Sequence, residues 1–303
     1  MDILTHRLAS IDGVAVGHWT DAVARTGCTV IRFDAPALTA VDVRGAAPGS
    51  RELDLLAPGR AVQRPDAILL TGGSAFGLGA AGGVVRWLDE HQRGYPTPAG
   101  AVPIVPAAVI YDLAVGDRAW PDAEAGYAAT ASAAPLDALE SGAVGAGTGA
   151  TVGAILGPAG AAPGAFLAAQ IRIDEGTVSA FVVINAFGAF ANSGDLDPRA
   201  ALLSLSPARV PFGEATSLLA CVTDIPLDHA SLQRMTVAMH DGLARSIVPA
   251  HTMVDGDIAF ASALREYPAP PPERSLRACL AAELAVETAI GKLRDGTRKP
   301  ATV

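Results

Sequence analysis

Strand-like apolar runs in both halves of the chain, with amphipathic helix patterns fore and aft of them, predict an α/β (α+β) protein. Its layers run helix, sheet, sheet and helix, or a single sheet is covered on both faces. At 303 residues with half of them hydrophobic, the chain fits one large domain over 1–303 with one body and one core. Only 5% of residues are aromatic and the apolar surplus is largely alanine, which favours closely packed helices on sheet layers.

The strand signals come first. Short β-branched runs at Val14 to Val16, Cys28 to Phe33, Leu38 to Val43 and Ala67 to Thr71 alternate with turns and read as strands of a sheet. After Gly72-Gly73 a helix is expected, with Ser74 as its N-cap, Phe76, Val84, Val85 and Leu88 inward, and an end near Gly94. The proline-rich stretch from Tyr95 to Pro106 reads as an extended buried connector leading to Val109-Ile110-Tyr111. Asp122 to Ala134 suits a small alanine-rich helix, Gly142 to Gly164 is glycine-dense, and Thr177 to Ile184 is a strand ending at Asn185.

Ala191 to Glu214 is polar, carries Pro198, Pro207 and Pro211, and reads as an exposed loop. Beyond it an apolar strand starts at Thr216. A helix follows from Asp228, with Leu232, Met235, Met239, Leu243 and Ile247 recurring at spacings of three and four. Ser275 to Leu293 is a second helix, with Leu276, Leu280, Leu284 and Ile290 or Leu293 inward and Gly296 closing it.

Composition narrows the function classes. The net charge of −9 without a Lys/Arg cluster argues against nucleic acid and anionic membranes as partners. Cys28, Cys221 and Cys279 are odd in number and lie in apolar segments, which fits a reducing cytoplasm, and the first residues lack the pattern of a secretion signal. Ser141 to Ile171 is uncharged, yet its glycines and its prolines Pro158 and Pro163 argue against a membrane span.

The chemistry centres on Thr216. A chain cut between Ala215 and Thr216, into pieces 1–215 and 216–303, would carry a hydroxyl nucleophile and an α-amine on one residue. That amine has an ordinary pKa of roughly 8, so it can act as the base that a threonine hydroxyl needs. The same residue also reads as an ordinary strand-start threonine.

Asp255 and Asp257, two apart at the edge of an apolar run, can face one side and converge on that unit, though Asp-Gly strings are also common in solvated turns. Asn185 at a strand end offers an amide donor to an oxyanion, or serves a turn. Tyr111 is either a structural or a catalytic phenol.

Gly145 to Thr151 lacks the lysine of a P-loop and the G-x-G-x-x-G spacing, so close backbone packing near the site is the better reading. His229, His240 and His251 stand eleven apart, which is no ligand spacing, and no G-x-S-x-G elbow is present. The chemistry so read needs neither metal nor cofactor.

Several strings carry a family resemblance: Gly17 to Thr20, Val41 to Gly45, Leu70 to Leu78, Pro103 to Asp112, Gly145 to Gly153, His240 to Arg245 and Asp255 to Asp257. Together they resemble the L-aminopeptidase/D-esterases, β-peptidyl aminopeptidases and nylon-oligomer (6-aminohexanoate oligomer) endohydrolases over almost the whole chain. The resemblance implies an αββα sandwich of the N-terminal-nucleophile-hydrolase type, autoproteolysis, a homo-oligomer, commonly a tetramer, and hydrolysis of amide bonds in short peptides or linear ω-amino-acid oligomers.

It further implies Thr216 as nucleophile, Asn185 as oxyanion donor, Tyr111 as a site tyrosine, and Asp255 and Asp257 as supporting carboxylates. Thr216 with Asp-Gly-Asp is closer to the nylon-oligomer branch, since the aminopeptidase branch typically carries Ser and a Ser-x-Glu pair. Ala215 and Ala154 stand where relatives commonly have Asn or Gly, and Lys. These departures leave open an uncleaved non-enzymatic homologue, an acyl-threonine that an amine intercepts leaves open an acyltransferase, and the aminopeptidase/D-esterase branch of the family is the further alternative.

Overall fold

Period-two burial along the long strands assigns alternate residues to two different cores, and this makes the protein layered. In β15 (Leu218–Thr223), Leu218, Ala220 and Val222 enter one apolar cluster while Leu219 and Cys221 enter another. Every residue of that strand is buried, as expected for a strand covered on both faces. The protein is represented by a computed structural model, which describes residues 2–4, 8–157, 160–191, 200, 203 and 215–297.

One five-stranded sheet runs in the order β2 (Val14–Asp21), β3 (Thr26–Phe33), β6 (Ala67–Thr71), β9 (Ala107–Val109) and β5 (Ser50–Arg51). The second, six-stranded, runs β1 (Asp2–Leu4), β12 (Ala165–Ile173), β13 (Gly176–Ile184), β15, β17 (Ile258–Ala263) and β4 (Leu38–Val43). Ile31, Phe33, Ile68 and Leu70 of the first sheet meet Phe166, Phe181, Leu218 and Phe260 of the second in the central core.

Helices α2 (Ala81–Glu90) and α3 (Ala123–Ala131) cover the outer face of the first sheet through Val84, Leu88, Ala125 and Ala129. Helices α4 (His229–Ser246) and α5 (Pro272–Thr297) cover the second through Leu232, Met235, Met239, Ala282 and Ala285. The order is therefore helix, sheet, sheet, helix, the first of the expected alternatives.

Capping follows the sequence at two helices. Asp228 accepts from Ser231 N–H at 2.8 Å to start α4, and Asp122 accepts from Ala125 N–H at 2.9 Å to start α3. Elsewhere the structure departs from the pattern. Gly73, at φ 82°, precedes the short helix α1 (Ser74–Gly77), so Ser74 is its first residue and not its cap. The expected single helix from there to Gly94 is broken into α1, a 3₁₀ turn over Leu78–Ala80, and α2. Phe76 faces outward, 49% exposed, and stacks on Trp120.

The proline-rich connector is no buried strap. Its β7 (Tyr95–Thr97) and β8 (Gly100–Val102) form an exposed hairpin, because Pro98 and Gly100 favour a turn between them. β4, expected beside its sequence neighbours, instead crosses to the second sheet and pairs antiparallel with β17.

The segment Ser141 to Ile171 holds a 3₁₀ turn at Gly145–Gly147, the short pair β10 (Thr151–Val152) and β11 (Ala162–Pro163), and most of β12. No helix among the described residues is long and apolar enough to cross a membrane. α5 begins three residues before the expected start, contains Gly296, and turns Leu276 and Leu280 outward at 70% and 51% exposure. Alanines take the inward positions because the helix lies close to α4 and the sheet. The loop expected over Ala191 to Glu214 lies, apart from residues 191, 200 and 203, outside the described residues.

In the second sheet β15 and β17 are parallel, and they stand between β13 on one side and β4 on the other. Every other strand of this sheet lies before residue 215, so two adjacent strands from beyond the Ala215–Thr216 bond are flanked on both sides by strands that precede it.

Candidate active site

The parallel register pairs Leu218 with Ile258, and the isolated bridge Ala215 with Asp255 preserves that offset of forty residues. Thr216 consequently sits opposite Gly256, with Asp255 and Asp257 on either side of it. The register brings positions 216, 255 and 257 together, but the two carboxylates bond to Ser217, His251, Phe187 and Thr252 and not to the hydroxyl or nitrogen of Thr216, where the sequence expected them to converge.

The bond before Thr216 is held from several directions. Thr216 Oγ1 donates to the Ala215 carbonyl oxygen at 2.6 Å, and Gly256 N–H donates to the same oxygen at 2.9 Å. Thr216 N–H donates to the carbonyl of Asn185 at 2.5 Å. Thr216 is 4% exposed, and Ala215 packs with Ile155, Phe187, Ala189 and Val254.

Gly256 has no room for a side chain. A Cβ there would lie 2.6 Å from Thr216 Oγ1 and 2.6 Å from the Ala47 carbonyl.

Both carboxylates are buried and fully engaged. Asp257 Oδ1 accepts from Ser217 N–H at 2.7 Å, and its Oδ2 accepts from the backbone N–H and Nδ1 of His251 at 3.1 and 2.8 Å. Asp255 Oδ1 accepts from Phe187 N–H at 3.3 Å, and its Oδ2 from the backbone and hydroxyl of Thr252 at 2.9 and 2.5 Å. Burial, and then the neighbouring Asp257, push the Asp255 carboxyl above the usual carboxylate range. The backbone between them is anchored too, by Arg44 and Gly45 N–H on the Asp257 carbonyl and Ala47 N–H on that of Asp255.

Asn185, 1% exposed at the end of β13, accepts from Thr151 N–H through Oδ1 at 2.9 Å and donates from Nδ2 to the Tyr111 carbonyl at 3.2 Å. It touches Thr216 through its backbone carbonyl. Tyr111 joins the cluster through its own carbonyl and is half-buried. Thr151 ties the glycine-dense segment to the site, the close packing anticipated for Gly145 to Thr151. Ala154 is exposed in a 3₁₀ turn just beyond.

His251, Thr252 and Gly256 carry much of this geometry and were not singled out by sequence. The signal for Gly256 was its place between the aspartates. Among the described residues no cluster of three or more His, Cys, Asp or Glu could hold a metal ion.

The family model described as Peptidase family S58 matches residues 6–293. The chain belongs to this family. An "uncharacterized aminopeptidase" of Mycobacterium tuberculosis (strain ATCC 25618 / H37Rv) is 40% identical to this S58 member over 94% of the chain and 88% of the relative. A 6-aminohexanoate-oligomer endohydrolase of Kocuria sp. (strain KY2) is 30% identical over 93% of the chain and 80% of the relative.

Among solved structures, the L-aminopeptidase D-Ala-esterase/amidase of Ochrobactrum anthropi, described as a variant of the Ntn hydrolase fold, superposes with a TM-score of 0.73 at 20% identity. The alignment covers 92% of this chain and 83% of that one. A Burkholderia sp. beta-aminopeptidase gives 0.68 at 22% identity, with the same coverage of 92% and 83%. The S58 protein thus has an Ntn-hydrolase-like sandwich, and it is an amide-bond hydrolase.

Proposed function

We propose that the protein is a self-processing amidohydrolase whose nucleophile is the Thr216 hydroxyl, freed together with its own amine by scission after Ala215. The observation that carries this is the Ala215 carbonyl, approached by Thr216 Oγ1 at 2.6 Å and by Gly256 N–H at 2.9 Å. In scission an Oγ–C bond forms to that carbonyl and the C–N bond breaks, the proton of Oγ ending on the Thr216 nitrogen. Negative charge on the oxygen is met by Gly256 N–H. Water then cleaves the ester, leaving a carboxyl at Ala215 and both hydroxyl and amine on Thr216.

In the mature site the amine takes the Oγ proton while Oγ acquires the acyl group of the substrate amide, and the leaving amine takes that proton in turn. Water releases the acid. Asn185 O, which accepts from the Thr216 nitrogen, supports a fixed place for this amine. For the substrate amide in the mature site, Asn185, whose Nδ2 is given to the Tyr111 carbonyl in the uncut chain, is kept as the proposed oxyanion donor with Tyr111 beside it, and Asp255 and Asp257 hold the strand start.

Short peptides or linear ω-amino-acid oligomers are the substrates of this reading, supported by the endohydrolase relative and its coverage. The aminopeptidase name of the relative at 40% identity favours a second reading, removal of N-terminal residues. We extend the reading to a homo-oligomer such as a tetramer, supported by the exposed Leu276 and Leu280, and to the cytoplasm, supported by unpaired Cys28, Cys221 and Cys279.

Denaturing mass spectrometry tests the central step. Fragments ending at Ala215 and starting at Thr216 are expected, with Thr216→Ala intact; an uncut wild type after long incubation ends the proposal. Amino-acid p-nitroanilides beside 6-aminohexanoate oligomers separate the two substrate readings.

A further inference from the structure

We propose that His251 is a positioning residue of the hydrolytic site, its imidazole Nδ1–H locking the Asp257 carboxylate against the strand that starts at the nucleophile; this rests on the reading of Thr216 just given. Asp257 is 1% exposed, and its two oxygens are pulled in different directions. Oδ1 reaches Ser217 N–H in β15, and Oδ2 takes both the backbone N–H and Nδ1 of His251. A carboxylate oxygen only accepts, so Nδ1 carries a hydrogen and donates it to Asp257.

The surroundings favour that contact. Among the described residues His251 Nε2 is buried without a hydrogen-bond partner, so the ring's polar contact is the one that Nδ1 makes to Asp257. The His240 ring stands edge-on to it, centroids 4.7 Å apart, and burial pushes His240 down to about 4, so it offers no charge of its own near neutral pH. His240 Nε2 is committed to the Asp42 carbonyl at 3.2 Å, with the Asp42 carboxylate at 3.9 Å, and its Nδ1 is also unpartnered. Asp255, beside Asp257 on the same segment, turns its oxygens to Phe187 and Thr252.

His251 also sits at φ 56°, a backbone region that bulky residues avoid. The imidazole is thus a donor held in one place. It holds Asp257 in place, and with it the Gly256 N–H that points at the Ala215 carbonyl.

His251→Asn and His251→Gly test this. Both residues accept the left-handed backbone, and both keep the backbone N–H, but only Asn can replace Nδ1–H. Self-cleavage of the Asn variant within about threefold of wild type is expected, against a slowing of about tenfold or more for Gly, the size of a lost hydrogen bond to a charged group. Added imidazole should restore part of the Gly rate.

A Gly variant as fast as wild type overturns the proposal. So do equal losses in both variants without imidazole rescue. Imidazole ¹⁵N NMR of the full chain gives a readout independent of cleavage: Nδ1–H on His251 is expected, and an Nε2–H tautomer overturns the assignment. An uncut wild type with the Nδ1–H signal would instead condemn the Thr216 reading alone.

Discussion

Gly256 donates its backbone N–H to the carbonyl oxygen of Ala215 at 2.9 Å, directly opposite the hydroxyl of Thr216 that reaches the same oxygen at 2.6 Å. The absence of a side chain is what permits this approach. In Gly256→Ala the new methyl would meet Thr216 Oγ1 and the Ala47 carbonyl at 2.6 Å each, and the peptide must shift away. Self-cleavage about a hundredfold slower is expected, the usual consequence of losing one oxyanion donor. A time course on denaturing gels checks it, with circular dichroism verifying that the chain is folded.

Asn185 joins Thr151 N–H to the Tyr111 carbonyl inside the protein. Asn185→Ala leaves both without that partner and should cost about 1–3 kcal/mol of stability. Its backbone carbonyl still holds the Thr216 nitrogen, so self-cleavage should fall less than in Gly256→Ala. Urea unfolding of the variant, beside the same gel assay, measures both effects.

His240 links stability to pH. Its folded pKa, about 4, lies below the ordinary value of 6.5, so its contribution is complete above 6.5 and is lost as pH falls toward 4. At 1.36 kcal/mol per unit the loss amounts to about 3 kcal/mol. His240→Gln keeps a donor for the Asp42 carbonyl without a titrating ring, and should flatten the fall in unfolding free energy across that window. An unchanged slope would show that His240 does not titrate there.

The inward face of α5 is built from small residues. Ala285→Leu inserts a branched side chain between α5 and the second sheet, and should destabilise by about 1–3 kcal/mol. Leu280→Gln, at an outward position, should change stability by less than about 0.5 kcal/mol. Thermal melts of the pair distinguish these faces, and the reverse ranking would mean that the helix is rotated.

The contrast between α4 and α5 explains what was legible in the sequence. In α4, Leu232, Met235, Met239 and Leu243 repeat at helical spacing behind an aspartate cap, and all are buried. In α5 the same rule picked Leu276 and Leu280, while the true stripe runs through Ala278, Ala282, Ala285 and Ala289. That stripe has helical spacing too. A period that weights large apolar residues misses it, because tight packing against α4 and the sheet selects volume over hydrophobicity.

The strand crossing of β4 was invisible for another reason, since pairing between residues 38–43 and 258–263 leaves no local mark. At the site, Thr216, Asp255, Asp257 and Asn185 were readable as residue types that chemistry requires. Gly256 and His251 were not, because one contributes a backbone N–H and the other a ring nitrogen whose contact with Asp257 depends on the local chain path.

Scission at residue 215 would leave 88 residues holding β15 and β17, which lie between β13 and β4 of the other piece. Neither piece could slide out without unzipping ladders on both flanks, so the nicked molecule would behave in its native state as one particle. Once unfolded, its halves would have to find each other by diffusion. Recovery of the mature form from denaturant would thus depend on protein concentration, whereas the intact precursor would refold as a unimolecular event.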